Sequence, residues 1–185
     1  MMDRSEVLKT IAKFRTDEVV IATMSAMGEW PRLSPSPLNL QIAGAMGYAS
    51  NVGMGIALAR PDKRVIVIDG DGSLLMNLGA LVTLCHLSPP NLTHFVLENG
   101  LYELPGRIPL PSLEKYDMPE LARSSGLTKV YEFNKLQDFQ EQVDSLMHEE
   151  GPIFASLKVN PGPKEPLTLI SSFQMARDME KALGA

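Results

Sequence analysis

An aspartate and an asparagine each follow an apolar run, and both carry oxygen atoms that can hold a hard cation. Asp71 lies between two glycines directly after residues 64–69, and Asn99 follows residues 92–98. The carboxyl ends of parallel strands meet at one edge of a sheet, where open α/β proteins bind their ligands. Magnesium takes oxygen ligands and usually completes its shell with water and phosphate oxygens. We therefore expect Asp71 and Asn99 to lie together in a magnesium site.

The residues that flank Asp71 predict a phosphate group beside that cation. Gly70 and Gly72 allow the backbone to turn sharply and to approach a ligand closely. Ser73 is predicted to begin the next helix, where free N–H groups and the helix dipole favour an anion. Together these residues indicate a site for a magnesium-bound diphosphate. Because Asp-Gly also occurs in ordinary turns between a strand and a helix, the tripeptide alone leaves a purely structural role open.

The elements that must position these residues alternate along the chain. Residues 65–68 are apolar without alternation, which is typical of a parallel strand buried on both faces. Alternating strands and helices predict an α/β fold, a three-layer α/β/α doubly wound parallel sheet, in a single domain over residues 1–185. Prolines predict a loop over residues 28–39 and a stiff connection at Pro161, Pro163 and Pro166. The predicted strands are 18–23, 64–69, 92–98, 128–133 and 153–159, and the predicted helices are 4–15, 44–60, 73–86, 118–125, 135–149 and about 171–184.

Composition excludes several classes of protein. The chain has 185 residues and a net charge of −5 without a long basic run, which argues against a nucleic-acid partner. A single cysteine, Cys85, excludes an internal disulfide framework and a cysteine-ligated iron–sulfur cluster. The N-terminus lacks a signal-peptide core, and no apolar run is long enough to cross a bilayer. We therefore expect a cytoplasmic protein without a membrane partner.

The interval between the two predicted metal ligands carries more information than either residue. Residues 73–98 separate Gly72 from Asn99, which resembles the GDG-to-Asn fingerprint of thiamine diphosphate-dependent enzymes. The resemblance implies that Asp71, Asn99 and the backbone carbonyl of Leu101 hold the Mg²⁺ of bound thiamine diphosphate. Many members carry a second asparagine where this chain has Gly100. The further candidate cofactor contacts in this region are Gly70, Gly72, Ser73 and Tyr102.

A second segment resembles the turn that binds the aminopyrimidine ring in these enzymes. It comprises Gly44, Ala45, Met46 and Gly47, and Ala45 stands where serine is common. The resemblance implies that the Gly44 carbonyl and the Met46 N–H bond the pyrimidine, while the Met46 side chain wedges the cofactor into a bent shape. Without the fingerprint, a methionine between glycines is typical of a core residue. The small-residue helix that follows packs either inside the domain or at an inter-subunit contact.

Two further groups of residues are candidates for ligand contacts at the same edge of the sheet. Thr23, with Met24 and Ser25, follows the first predicted strand and can meet the terminal phosphate, although such residues are also common in ordinary loops. Glu103 and Arg107 lie in the loop after Asn99 and can face substrate. A guanidinium such as that of Arg107 matches an oxygen pair of a phosphonate or a sulfonate.

The resemblance covers most of the chain, from about Thr23 to Val159. It is carried by the segments AGAMGYASNVGMGIALARP, VIVIDGDGSLLMNLGALVTL and ENGLYELPG. They are similar to the diphosphate-binding (PP) domain of thiamine diphosphate-dependent 2-oxoacid decarboxylases, above all the sulfopyruvate decarboxylase β subunits and the C-terminal halves of phosphonopyruvate decarboxylases. Where those relatives have a more polar run, this chain has LPGRIPLPS, which leaves a sulfonate or phosphonate preference open.

The resemblance also implies a partner. In this enzyme class a glutamate of a separate pyrimidine-binding domain activates the cofactor, and 185 residues cannot hold both domains. We expect a hetero-oligomer that contains a dimer core and acts on a small-molecule 2-oxoacid, in which a pyrimidine-domain (α) subunit supplies that glutamate. No side chain of this chain is assigned as the catalytic acid or base. A subunit of a 2-oxoacid:ferredoxin oxidoreductase, a carboligase and a non-catalytic cofactor-binding subunit remain alternatives.

Overall fold

Eight strands and eight α-helices make up the described part of the chain. A computed structural model describes residues 1–162 and 171–184, so the prediction of a stiff connection at Pro163 and Pro166 lies outside it. The strands are β1 Val19–Thr23, β2 Asn39–Ile42, β3 Val65–Gly70, β4 Leu92–Glu98, β5 Leu101–Tyr102, β6 Ile108–Pro109, β7 Lys129–Phe133 and β8 Ile153–Lys158. The helices are α1 Arg4–Phe14, α2 Ala26–Leu33, α3 Ala49–Ala59, α4 Asp71–Leu75, α5 Gly79–Leu87, α6 Met118–Ser124, α7 Leu136–His148 and α8 Ser172–Ala182, with a 3₁₀ turn at Leu113–Lys115.

The predicted fold class is confirmed. Six strands form one parallel sheet in the order β2-β1-β3-β4-β8-β7, and β5 pairs with β6 in a small antiparallel hairpin. One face of the sheet packs against α1, α2 and α7, and the other against α3, α4, α5, α6 and α8. The inner strands β1 and β3 are buried on both faces, which is why their sequences are continuously apolar rather than alternating. The result is the three-layer α/β/α arrangement.

The predicted loop over residues 28–39 is wrong at both ends, because α2 continues through Pro31 and the unpredicted strand β2 begins at Asn39. A proline inside a helix cannot donate to the carbonyl four residues earlier. Here the Gln41 side chain supplies the missing donor, because its Nε2 lies 2.9 Å from the Met27 carbonyl oxygen. Trp30 is fully buried and donates through Nε1 to Asn39 Oδ1 at 3.0 Å. Burial of Trp30 and these two side-chain hydrogen bonds thus stabilise a helix that Pro31 disfavours.

Two predicted helices have different boundaries. Residues 44–60 are helical only from Ala49, because Gly44 and Gly47 take φ values of +72° and +81°, in the left-handed region that glycine favours. Residues 73–86 form two helices, with a break at 76–78 where the Met76 N–H bonds the Ser73 carbonyl three residues back. Both differences move backbone turns to the carboxyl edge of the sheet, where the site lies.

The connections of β1 and β3 lead away from each other. The chain leaves β1 for β2 on one side and leaves β3 for β4 on the other. In open α/β sheets a crevice forms between two such strands and receives the ligand. The crevice is bordered by residues 23–26 after β1 and residues 70–73 after β3. Within the described ranges, no helix combines the length and the apolar character of a bilayer span.

Candidate active site

A cavity that is open to solvent lies in the crevice between β1 and β3. Its walls come from the ends of β1, β3 and β4, from the hairpin after β4, and from the first turn of α1. The lining contains most of the predicted site residues: Thr23, Met46, Gly70, Asp71, Gly72, Ser73, Asn99, Leu101, Tyr102 and Glu103. Gly44, Ala45 and Arg107 lie outside this lining. The remaining lining residues are Arg4, Met24, Ser25, Ala26, Asp69, Leu97, Leu104 and Pro105.

The two predicted metal-binding segments are in direct contact. The Asp71 Oδ2 atom accepts the backbone N–H groups of Asn99 at 2.9 Å and Gly100 at 2.7 Å, and Oδ1 accepts the Gly72 N–H at 2.7 Å. The Asn99 Oδ1 atom accepts the Leu101 N–H at 2.9 Å. These bonds fix the carboxylate and the amide at adjacent ends of β3 and β4.

The Asp71 carboxyl group lacks a compensating cation. It is 2% exposed, and among the residues that the structure describes no basic side chain forms a salt bridge with it. Burial raises the pKa of Asp71 to about 6, and the three N–H donors lower it only in part. Loss of solvation thus disfavours the charged form, and a bound cation would favour it. The site is electrostatically suited to a positive ion.

The available donors fit magnesium with a diphosphate better than a cage built only from protein groups. Residues 1–162 and 171–184 contain no cluster of three His, Cys, Asp or Glu side chains that could hold a metal. One carboxylate, one amide oxygen and one backbone carbonyl, from Asp71, Asn99 and Leu101, leave positions for phosphate oxygens and water. Magnesium is usually bound in this way, through one or two carboxylates and ligand phosphates.

The glycines that flank Asp71 have different roles. A Cβ atom on Gly72 would lie 2.7 Å from Tyr102 Cδ1 and 3.1 Å from Leu110 Cδ2, so the Tyr102 ring packs directly on this residue. A Cβ atom on Gly70 would meet nothing within 4 Å, and its φ of −110° is ordinary. The predicted close approach at Gly72 is therefore to a ring of the protein itself. Open space remains beside Gly70 for a ligand.

The turn predicted to bind the pyrimidine is fastened to α4. The Gly47 N–H donates to Ser73 Oγ at 3.0 Å, and Asn77 Nδ2 donates to the Gly47 carbonyl at 3.0 Å. Because Ser73 accepts this bond, its own hydroxyl proton is left to donate to a phosphate. Met46, which belongs to this turn, lines the cavity. Sequence reasoning missed Asn77, whose only signal was a polar residue within an apolar helix pattern.

The hydroxyl groups that follow β1 already have acceptors. Thr23 Oγ1 donates to the Ile42 carbonyl at 3.0 Å, and Ser25 Oγ donates to the Glu103 carboxylate. A phosphate would have to compete with these acceptors for either proton. The contact between Thr23 and a phosphate stays a prediction.

Glu103 lines the cavity as part of a buried ionic cluster. Its carboxylate accepts Arg4 Nη1 at 2.6 Å and the Gly162 N–H at 3.1 Å, in addition to the Ser25 hydroxyl. Arg4 also pairs with Glu29 at 2.6 Å, and the side chains of Arg4 and Glu29 are 4% and 7% exposed. Three donors satisfy Glu103, so in this arrangement it fixes the loop after Asn99.

Arg107 lies on the far side of the same connection. Its guanidinium donates to the Gly162 carbonyl, while Glu103 accepts the N–H of the same residue. Both backbone groups of Gly162 are therefore bound by residues predicted to face substrate. The structure places Arg107 outside the cavity lining, and its contact with substrate stays a prediction.

Comparison with known proteins identifies the family that this chain resembles. Residues 22–156 match the family described as thiamine pyrophosphate enzyme, C-terminal TPP binding domain; thiamine pyrophosphate is another name for thiamine diphosphate. The chain is 36% identical over 163 residues to the β subunit of sulfopyruvate decarboxylase from Methanothermobacter thermautotrophicus, which covers 88% of this chain and 84% of that protein.

A longer relative and a solved structure extend the comparison. The chain is 33% identical over 160 residues to phosphonopyruvate decarboxylase from Streptomyces viridochromogenes, covering 86% of this chain but only 40% of that protein. A putative thiamin diphosphate-dependent enzyme from Mycobacterium smegmatis superposes with a TM-score of 0.73 at 19% identity, over 86% of this chain and 32% of that one. This last likeness supports the fold alone.

Proposed function

This chain belongs to the thiamine pyrophosphate enzyme family through the C-terminal TPP binding domain, and we propose that it is the diphosphate- and magnesium-binding subunit of a heteromeric 2-oxoacid decarboxylase. The observation that carries the proposal is the Asp71–Asn99 contact. It places a buried carboxylate and an amide side by side on an open cavity at the switch point of the sheet. The family match explains which ligand such an arrangement takes.

In the proposed holoenzyme, Asp71, Asn99 and the Leu101 carbonyl would hold Mg²⁺ beside the cofactor diphosphate. Ser73 has a free hydroxyl proton for a phosphate oxygen, and Met46 supports the pyrimidine end. When bound, thiamine diphosphate supplies the carbon nucleophile and the electron sink that decarboxylation of a 2-oxoacid requires. This chain supplies binding and orientation, and the cofactor carries the covalent chemistry.

A second polypeptide is part of the proposal. The chain spans 84% of a relative that is named a β subunit, but 40% of a longer decarboxylase. These proportions support a division of the enzyme into two halves, of which this chain is one. We propose that a pyrimidine-domain α subunit supplies the activating glutamate, that the hetero-oligomer contains a dimer core, and that it works in the cytoplasm.

The proposed substrate is a 2-oxoacid of the sulfopyruvate or phosphonopyruvate type. The two relatives described above are both named as decarboxylases of such acids, which favours decarboxylation over the oxidoreductase and carboligase alternatives. The sulfonate or phosphonate group would need a cationic contact. Arg107 of this chain is one candidate, provided that its bond to Gly162 exchanges, and the partner subunit is the other source.

Reconstitution with the partner tests the proposal. The chain would be assayed alone and together with a candidate α subunit for release of CO₂ from sulfopyruvate, phosphonopyruvate and pyruvate, with Mg²⁺ and thiamine diphosphate present. We expect negligible turnover by the chain alone and at least a hundredfold gain in the complex. Full activity of the chain alone would contradict the two-subunit assignment. Cofactor binding by the complex without decarboxylation of any of the three acids would contradict the reaction.

A further inference from the structure

Met24 adopts a backbone conformation that its residue type disfavours. It links β1 to α2 with φ at +51°, in the left-handed region. Side chains with a Cβ atom rarely occupy this region, and the exceptions are mostly Asn, Asp and His. The other non-glycine residues with positive φ in the described ranges are Ser88, Arg107 and Ser112, and only Met24 lines the cavity.

The backbone offers no reason for a methionine at this position. Glycine would take the same φ without steric cost, so the local geometry favours glycine over methionine. What methionine adds is a long side chain, which is partly buried and lines the cavity. Unfavourable conformations that persist in folded proteins cluster where function requires them. The side chain is therefore the feature to explain.

The strand order gives the position of Met24 along a bound ligand. Strand β1 lies between β2 and β3, and the three strands end nearly level, because Thr23 pairs with Ile42 and Ala22 with Ile68. The turn after β2 carries Met46, and the turn after β3 carries Asp71. Met24 follows the strand between them. Because Met24, Met46 and Asp71 line the same cavity, a ligand with its pyrimidine at the first turn and its diphosphate at the second would have its middle section nearest to the end of β1 and Met24.

The side chains on either side of Met24 already donate hydrogen bonds to groups of the protein. The Thr23 hydroxyl donates to the Ile42 carbonyl, and the Ser25 hydroxyl donates to Glu103. Met24 is the side chain of this connection that remains to contact a ligand. Its thioether is flexible and polarizable, and sulfur atoms of methionine make favourable contacts with aromatic rings.

We propose, on the basis of the proposed function, that the Met24 side chain contacts the thiazolium ring, which is the middle section of thiamine diphosphate. Met24 is then a binding residue for the ring and not for the diphosphate. Its conformational cost is offset when the cofactor is bound, which explains why a methionine occupies a position that suits glycine.

Two ligands that both contain a diphosphate group, only one of which has a thiazolium ring, distinguish the Met24 contact from diphosphate binding. Dissociation constants would be measured by calorimetry for thiamine diphosphate and for inorganic pyrophosphate with excess Mg²⁺, using the chain alone and the chain with its partner. Met24→Gly and Met24→Ala should weaken thiamine diphosphate binding about tenfold, with pyrophosphate binding changed less than twofold. Met24→Leu, which restores a side chain of similar size, should recover most of the affinity.

Thermal unfolding distinguishes this role from a structural one. The glycine variant relieves the backbone, so it should unfold at a temperature no lower than that of the wild type and above that of Met24→Ala. Loss of affinity without loss of stability supports the ring contact. Equal weakening of both ligands, or unchanged thiamine diphosphate affinity in Met24→Gly, would overturn it. If the wild-type chain binds no thiamine diphosphate in either preparation, the proposed function fails and this inference fails with it.

Discussion

The Asp71 carboxylate accepts the backbone N–H of Asn99 at 2.9 Å, and this bond joins the ends of β3 and β4. The two residues follow adjacent parallel strands in which Gly70 pairs with Leu97, so Asp71 lies one residue and Asn99 two residues beyond that pair. A single carboxyl group thus organises the loop that carries the second predicted metal ligand, in addition to serving as a predicted ligand itself. Loss of the Asp71 side chain would affect both functions.

The first prediction concerns pH. The pKa of Asp71 is raised to about 6 in the folded, ligand-free chain, whereas an unfolded aspartate titrates near 4. Because the fold favours the protonated form, this group destabilises the chain as pH rises from about 4 through 6, by on the order of 3 kcal/mol. Urea unfolding without Mg²⁺ should show that loss in the wild type and not in Asp71→Ala. Parallel pH profiles for the two proteins would contradict it.

A second prediction concerns Gly72 and Tyr102. Gly72→Ala places a Cβ atom 2.7 Å from the Tyr102 ring, so the ring must move and the free energy of unfolding should fall by about 1–3 kcal/mol. Gly70→Ala is the matched control, because its Cβ atom meets nothing within 4 Å. In a Tyr102→Ala background the Gly72→Ala cost should largely disappear. An equal cost in both backgrounds would show that the ring is not the obstacle.

A third prediction concerns the buried ionic cluster. Arg4→Met leaves the carboxylates of Glu29 and Glu103 without their cation in a buried site, which should cost about 3–5 kcal/mol of unfolding free energy. Adding Glu29→Gln to Arg4→Met should restore part of that loss, measured by urea unfolding. Lys9→Met is the control, because Lys9 pairs with Glu6 on the exposed face of α1. If Arg4→Met is tolerated as well as Lys9→Met, the cluster has no structural role.

Much of the fold follows from local sequence, and its exceptions have long-range causes. The apolar runs predicted five of the six strands of the main sheet, and β4 ends at Glu98 as expected while β3 ends one residue later than expected. The short strands β2, β5 and β6 were missed, because none of them is a continuous apolar run. The helix α2 was missed, because the donor that compensates Pro31 is Gln41, on the following strand. No sequence pattern around Pro31 indicates such a hydrogen-bond donor.

The site residues also divide into those that local sequence reveals and those that depend on long-range contacts. Asp71 and Asn99 are identifiable because their spacing, with one strand and its connection between them, reflects a local unit of the fold. Arg4 reaches the cavity through contacts with Glu29 and Glu103, which are 25 and 99 residues away in sequence. Its position in an amphipathic helix gave no sign of this role. The assignment of each cofactor-contacting residue stays a prediction that measurements of cofactor binding will test.

The most direct test of the central claim is a calorimetric titration of thiamine diphosphate with Mg²⁺ into the chain, alone and with its candidate α subunit. Asp71→Ala would be titrated in parallel, with Asp138→Ala on the exposed surface of α7 as the control. We expect tight binding by the wild type and by Asp138→Ala with the partner present, and at least a hundredfold loss for Asp71→Ala. Absence of binding under either condition, or unchanged binding by Asp71→Ala, would contradict the assignment of this cavity as the magnesium and diphosphate site.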